Sequence, residues 1–294
     1  MQIRLVQQAS RRRSLLDWAR PCTMLSAVLA ASAMVVGCAQ AEPEDETSSQ
    51  EVSQEVAAGG DLNDPRKKEI AMEIVSSAEN SSLDWKKWYG YIEPYDWRGY
   101  TAGIIGFCSG TGDMLDLVEY YKKIKPGNIL EKYLPALRKV NGTSSLEGLK
   151  PNFESDWKKA AKDSAFQRAQ NDERDRVYFN PAVSRAKQDG LGALGQFIYY
   201  DAIVMHGNGG DPLSFPSIRK NALKVKKSPA QGGDEVAYLH AFLDARVKAM
   251  KAEPEHGETD RVDTEQRVFL KNGNLDLHTP LVWKVYGDTY RIDN

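Results

Sequence analysis

Residues 74–85, IVSSAENSSLDW, decide how this chain is read. Upstream of them, Asp64 suits a helix N-cap and Pro65 the first helical position. Ile70, Ala71, Ile74, Val75 and Ala78 then recur at helical spacing and form one apolar stripe, which predicts a helix over 65–79. Glu79 closes that helix, above Val75 and Met72, before the run dissolves into Asn80-Ser81-Ser82. The last carbonyls of a helix carry the negative end of its dipole and favour cations. Apolar neighbours and the dipole both disfavour a charged carboxylate in that place. A proton-holding carboxyl is what a general acid requires. The plain alternative is an ordinary exposed helix-end glutamate.

A second carboxyl follows in IEPYDWRGYT (92–101), where Asp96 lies between Pro94 and Arg98 and is flanked by Tyr95 and Trp97. A cationic neighbour in a turn keeps such a group ionised. Two carboxyls whose surroundings push them toward opposite protonation states make the acid/base pair of a glycosidase. Trp85, Trp88, Tyr89, Tyr91, Tyr95, Trp97 and Tyr100 crowd the same segment. Most are expected in a core, with one or two left to face a sugar ring.

The chain has 294 residues, 41% of them hydrophobic, enough for a large domain or two lobes. A mean hydropathy of −0.53 excludes a polytopic membrane protein. Residues 1–41 read as an export signal: a basic region (Arg11, Arg12, Arg13, Arg20), an Ala-rich apolar run and small residues. Ala39–Ala41 fits a peptidase site, while VVGC at 35–38 fits a lipobox, which would make Cys38 a lipid anchor to the membrane. Residues 42–60 are acidic, Ser/Gln-rich and free of aromatics, the composition of a disordered linker. Without the leader the chain keeps 34 basic and 40 acidic residues, a formal −6 that argues against a nucleic-acid partner. Cys22 and Cys38 belong to the leader, so Cys108, in GIIGFCSG, reads as a buried thiol with no internal disulfide partner.

The remainder is mainly helical by pattern, with helices expected over 84–92, 112–124, 128–141, 154–178, 181–205, 215–226, 233–252 and 260–272. Strand character is scarce and clearest over 100–107 and 281–293, where Gly287-Asp288 suggests a turn between two short strands. Asp201 lies within the apolar run GQFIYYDAIVMHG, where an unpaired carboxylate is costly. Arg246 shares a face with Leu239, Phe242 and Ala249 and so needs a buried partner. The four histidines lack metal-ligand spacing, GTGDML lacks the third glycine of a dinucleotide loop, and GFCSGTGDM is no nucleophile elbow. No metal or cofactor is implied.

Several long blocks carry a resemblance: KKEIAMEIVSSAENSSLDW (67–85), RGYTAGIIGFCSGTGDML (98–115), AQNDERDRVYF (169–179), LGQFIYYDAIVMHG (194–207) and RVDTEQRVFL (261–270). Over residues 61–294 the chain resembles the chitosanases of glycoside hydrolase family 46. The resemblance implies a mainly α, two-lobed lysozyme-like fold with a small β-sheet in the minor lobe and a substrate cleft between lobes. It implies endo-acting hydrolysis of β-1,4 bonds in chitosan with inversion, by a secreted monomer. Glu79 then matches the general acid, Asp96 the base that activates water, and Thr101 the hydroxyl that positions that water. Glu93, Arg98, Asp113 and His256 match substrate-binding positions, with Asp113 facing a cationic glucosamine unit. Asp201, Arg246 and Arg261 match an ion network behind the acid. The loop EPYDWRGYT is one residue shorter than the family's usual form, with Trp97 where Gly is common, and this bears on the place of Asp96. Two rival readings stay open: a lysozyme-like enzyme acting on peptidoglycan, and a non-catalytic, surface-anchored sugar-binding lipoprotein.

Overall fold

The computed structural model describes residues 60–95, 98–253 and 257–293. The leader, Cys38, the linker up to residue 59, Asp96 and His256 lie outside the described residues. The predicted helix is present as α1 (Pro65–Asn80). The side chain of Asp64 accepts from the backbone N–H groups of Arg66 and Lys67, Pro65 takes the first turn, and Ser81 ends the helix in the left-handed region (φ 50°).

A short 3-10 turn, Trp85–Gly90, leads into an antiparallel sheet of β1 (Ile92–Tyr95), β2 (Gly99–Ala102) and β3 (Phe107–Cys108). Glu93 pairs with Thr101, and Thr101 with Cys108. Then come α2 (Asp113–Ile124), α3 (Leu134–Val140), α4 (Phe153–Ala160) and α5 (Ser164–Arg174). A π-helical turn, Asp175–Phe179, runs on into α6 (Asn180–Gln188). The remaining helices are α7 (Ala193–His206), α8 (Phe215–Leu223), α9 (Glu235–Ala252), a second π-helical turn (Arg261–Gln266) and α10 (Arg267–Lys271). The hairpin β4 (Leu281–Val285) and β5 (Asp288–Ile292) completes the order.

Two hydrophobic cores divide these elements. The smaller gathers Tyr100 and Phe107 of the sheet with Leu117, Tyr121, Leu137, Phe153, Trp157 and Phe166. The larger gathers Ile70, Ile74 and Val75 of α1 with Phe197, Tyr199 and Tyr200 of α7, Phe242 of α9 and Trp283 of β4. The continuous helical run 164–188 joins them, burying Phe166 and Ala169 in the first core and Phe179 and Ala182 in the second. Trp157 Nε1 and Gln170 Nε2 both donate to the Tyr89 carbonyl at 3.1 Å, fixing the chain between α1 and the sheet.

Several expected elements are shorter than the pattern predicts. The helix expected over 154–178 breaks at residues 161–163, where Asp163 turns outward to cap α5 by accepting from Ala165 N at 3.0 Å. The helix expected over 181–205 breaks at Gly190, whose φ of 79° and close approach to Ala230 N leave no room for a side chain. The strand expected over 100–107 is split, and β1 is an added strand. The C-terminal turn falls at Tyr286-Gly287 (φ 51° and 89°), because Val285 pairs with Asp288 and both central residues adopt positive φ. That hairpin packs on the larger core, so only β1–β3 form the sheet of the smaller one.

Candidate active site

Glu79 occupies the last turn of α1 and keeps about a sixth of its side chain exposed (17%). Its carboxylate does not rest on apolar side chains alone. Oε1 is in direct contact with Nη1 of Arg261, which reaches it from the second π-helical turn. The cation that the helix end favours is therefore supplied from 182 residues away.

Arg261 is itself held from behind. Its Nε donates to Asp201 Oδ1 at 2.7 Å, and Nη2 lies at the same distance from that oxygen. Asp201 projects from the middle of α7 and is fully buried. Its second oxygen receives Gln266 Nε2 and the Nη1 of Arg246, each at 2.7 Å. Arg246, also fully buried on α9, donates further to Gln266 Oε1 at 3.0 Å and to His206 Nε2 at 3.3 Å. On the other side of the ring, His206 Nδ1 lies 3.6 Å from Glu253 Oε1. One polar chain thus runs from Glu253 through His206, Arg246, Asp201 and Arg261 to Glu79.

Burial opposes charge in this cluster, and pairing decides the outcome. Burial by itself would raise the Asp201 carboxyl, but the Arg261 and Arg246 charges hold it below the usual carboxylate range. Arg261 is driven the other way from what burial dictates, well above its ordinary value, by Asp201 and Glu79. Glu265, one turn beyond Arg261, is fully buried, and neither of its oxygens is satisfied by a hydrogen bond of good geometry. Burial, reinforced by the Asp201 charge, pushes it well above the glutamate range. Tyr286 in the β4–β5 turn faces Arg261 and Glu79, and burial pushes its phenol up to about 12.

A second group of polar side chains lies on the sheet. Thr101 on β2 is buried, with Oγ1 3.4 Å from the Cys108 Sγ. Asp113, first residue of α2, accepts from Cys108 N at 3.1 Å and from the Thr111 hydroxyl through Oδ1. Arg98 is buried, and its charge is felt at the Cys108 thiol, which burial, aided by Asp113, pushes up. Glu93 on β1 accepts from the Tyr91 hydroxyl.

The structure therefore brings Glu79, Asp201, Arg246 and Arg261 into one cluster and gathers Arg98, Thr101 and Asp113 around Cys108. Gln266, Glu265, His206 and Tyr286 were not singled out by sequence reasoning. A signal for two of them exists. Val262, Phe269 and Leu270 mark the buried face of 261–270, and Arg261, Glu265 and Gln266 stand at the same helical positions. Charged and amide groups on an apolar face need partners.

Comparison with known proteins identifies the family. The glycosyl hydrolase family 46 profile matches residues 73–281, a span that includes Glu79, Asp201, Arg246 and Arg261. A chitosanase of Streptomyces sp. (strain N174) is 68% identical over 248 residues, covering 84% of this chain and 89% of that protein. The chain belongs to glycosyl hydrolase family 46. A chitosanase, OU01, crystallised with substrate superposes with a TM-score of 0.74 at 56% identity, covering 79% of this chain and 99% of that one. The family 46 chitosanase of Gynuella sunshinyii in complex with chitotetraose gives 0.67 at 34% identity, covering 77% and 97%. The mainly helical chain with its small antiparallel sheet thus has the family's lysozyme-like fold.

Proposed function

We propose that this family 46 glycoside hydrolase cleaves β-1,4 bonds within chitosan chains by inverting acid/base hydrolysis. Glu79 is the general acid that protonates the leaving oxygen. Asp96, which follows β1 in the chain, is the base that activates water, and the Thr101 hydroxyl helps to position that water. Inversion needs room for the water between the two carboxyls, typically about 6.5–9.5 Å. Asp113, Glu93, Arg98 and His256 serve the substrate, and acidic side chains along its path favour protonated amino sugars over fully acetylated chains.

The observation that carries this reading is the anchoring of Glu79. A carboxyl held at a helix end by Arg261, which is braced by a buried aspartate, has a fixed direction in space, and fixed direction is what a proton donor to one oxygen requires. The relatives named above are chitosanases, which supports the choice of polymer. In this reading no metal or cofactor takes part. The leader over residues 1–41 is read as taking the enzyme out of the cell, either freed by cleavage after Ala41 or held to the membrane by a lipid on Cys38.

Glu79→Gln and Asp96→Asn, assayed on chitosan, chitin and cell-wall glycan, test the proposal. It expects wild-type activity on chitosan above the other two polymers. It expects near-total loss of turnover in Glu79→Gln, and a sharp fall in Asp96→Asn, with both proteins folded. Retained turnover in Glu79→Gln overturns the assignment, and a preference for cell-wall glycan favours the lysozyme-like reading instead.

A further inference from the structure

The cluster behind Glu79 holds two guanidiniums, Arg246 and Arg261, and three carboxyls, Glu79, Asp201 and Glu265. The guanidiniums balance two carboxylates, and those two are visible: Asp201 between both arginines, and Glu79 against Arg261. Glu265 is the carboxyl left over. It is completely buried and neither oxygen is satisfied by a hydrogen bond of good geometry, so while Glu79 and Asp201 occupy the two arginines an ionised Glu265 would be a third carboxylate against two guanidiniums, out of reach of water.

Catalysis by Glu79 changes this balance. The acid must take up a proton before it can donate one, and on doing so it stops neutralising Arg261. Two buried guanidiniums would then face Asp201 alone. We propose that Glu265 is the positioning residue that compensates this change: the cluster holds one proton, which rests on Glu265 while Glu79 pairs with Arg261, and Glu265 ionises when Glu79 is protonated. The proton that one carboxyl gains equals the one the other releases, so the buried cluster stays neutral in both states. The inference rests on the reading of Glu79 as the acid.

The surroundings of Glu265 suit this part. The groups whose charge or dipole acts on it are Asp201 of α7, Arg246 of α9, Tyr286 of the β4–β5 turn, and Arg261 and Gln266 on its own segment. The charges of both arginines act on Glu265 and favour its ionised form. Both Arg261 and Glu265 sit on a π-helical turn, whose wider backbone brings two polar side chains inward within one turn.

The test is the pH dependence of kcat/KM on soluble chitosan for the wild type, Glu265→Gln and Glu79→Gln. Glutamine has the shape of the neutral acid but cannot ionise, so protonation of Glu79 then leaves an unbalanced buried charge. The upper limb of the Glu265→Gln profile is expected to move down by roughly one pH unit, about a tenfold loss of kcat/KM on that limb, with KM little changed. A limb that stays in place overturns the proposal, because a merely structural Glu265 is replaced silently by its isostere. Turnover retained in Glu79→Gln overturns both this proposal and the acid assignment. Turnover lost there with an unmoved Glu265→Gln limb overturns this proposal alone. Should Glu265→Gln not fold, infrared spectra of the wild type on the plateau below its upper limb decide. A protonated-carboxyl stretch that shifts only slowly in heavy water is required, and its absence contradicts the proposal.

Discussion

The guanidinium of Arg261 joins Glu79 to Asp201: its Nη1 touches the Glu79 carboxylate, and its Nε is fixed to Asp201 at 2.7 Å. The direction in which Glu79 points is thus set by a residue buried in a different helix. Arg261→Lys keeps the charge but removes the planar fork that makes both contacts. The expected result is a fall in kcat on the order of 100-fold, the scale of a misplacement of about 1 Å, with KM nearly unchanged. Steady-state kinetics on chitosan check this, and a loss confined to KM contradicts it.

Asp201 pairs with two buried arginines at once, so its loss is a matter of stability before it is one of rate. Asp201→Asn leaves Arg246 and Arg261 without their common counter-charge. A destabilisation of roughly 3–5 kcal/mol is expected, the range for breaking a buried ion pair from one side. Urea titration followed by circular dichroism measures it.

How far the sequence alone carries the fold depends on the kind of signal. Helix α1 and the position of Glu79 were legible because Asp64, Pro65 and the apolar stripe all agree. Asp201 was legible because it is a charge inside an apolar run, and Arg246 because it shares a helix face with Leu239, Phe242 and Ala249. Strand β1 was not, since Pro94 demotes the segment and only pairing with β2 makes it a strand. The breaks at 161–163 and at Gly190 were hidden inside unbroken helical periodicity, and they follow from tertiary contacts such as the approach of Ala230. Arg261 was reached only through family likeness, and Glu265 not at all. In RVDTEQRVFL the charges alone do not say which side is inward, and the packing of Val262, Phe269 and Leu270 does.

The two buried acids give opposite pH dependences of stability. Burial opposes ionisation of Asp201, but its arginine partners hold it below the ordinary value of about 3.9, so its contribution is full above that range and is lost as pH falls through the folded-state value. Burial raises Glu265, so the native state binds its proton more tightly than the unfolded chain, and stability declines as pH rises above about 4.3. The Tm of Glu265→Gln relative to wild type is therefore expected to climb between about pH 4 and pH 8. Calorimetry at a series of pH values checks the slope, and a flat difference contradicts it.

Cys108 is buried, and burial, followed by Asp113, raises its thiol above the ordinary range, so little thiolate forms near neutral pH. Alkylation of native protein is expected to be slow, and to become fast in urea at the concentration where the fold is lost. Mass spectrometry of the 108-containing peptide follows it. Rapid labelling under native conditions contradicts the burial.

The account's central claim is that Glu79 donates a proton on one side of the scissile bond while a separately activated water attacks from the other. Proton NMR of chitosan during the first minutes of hydrolysis reads this directly from the newly formed reducing ends. The claim predicts that the α-anomer appears first and the β-anomer only through mutarotation. A first product of β configuration contradicts it.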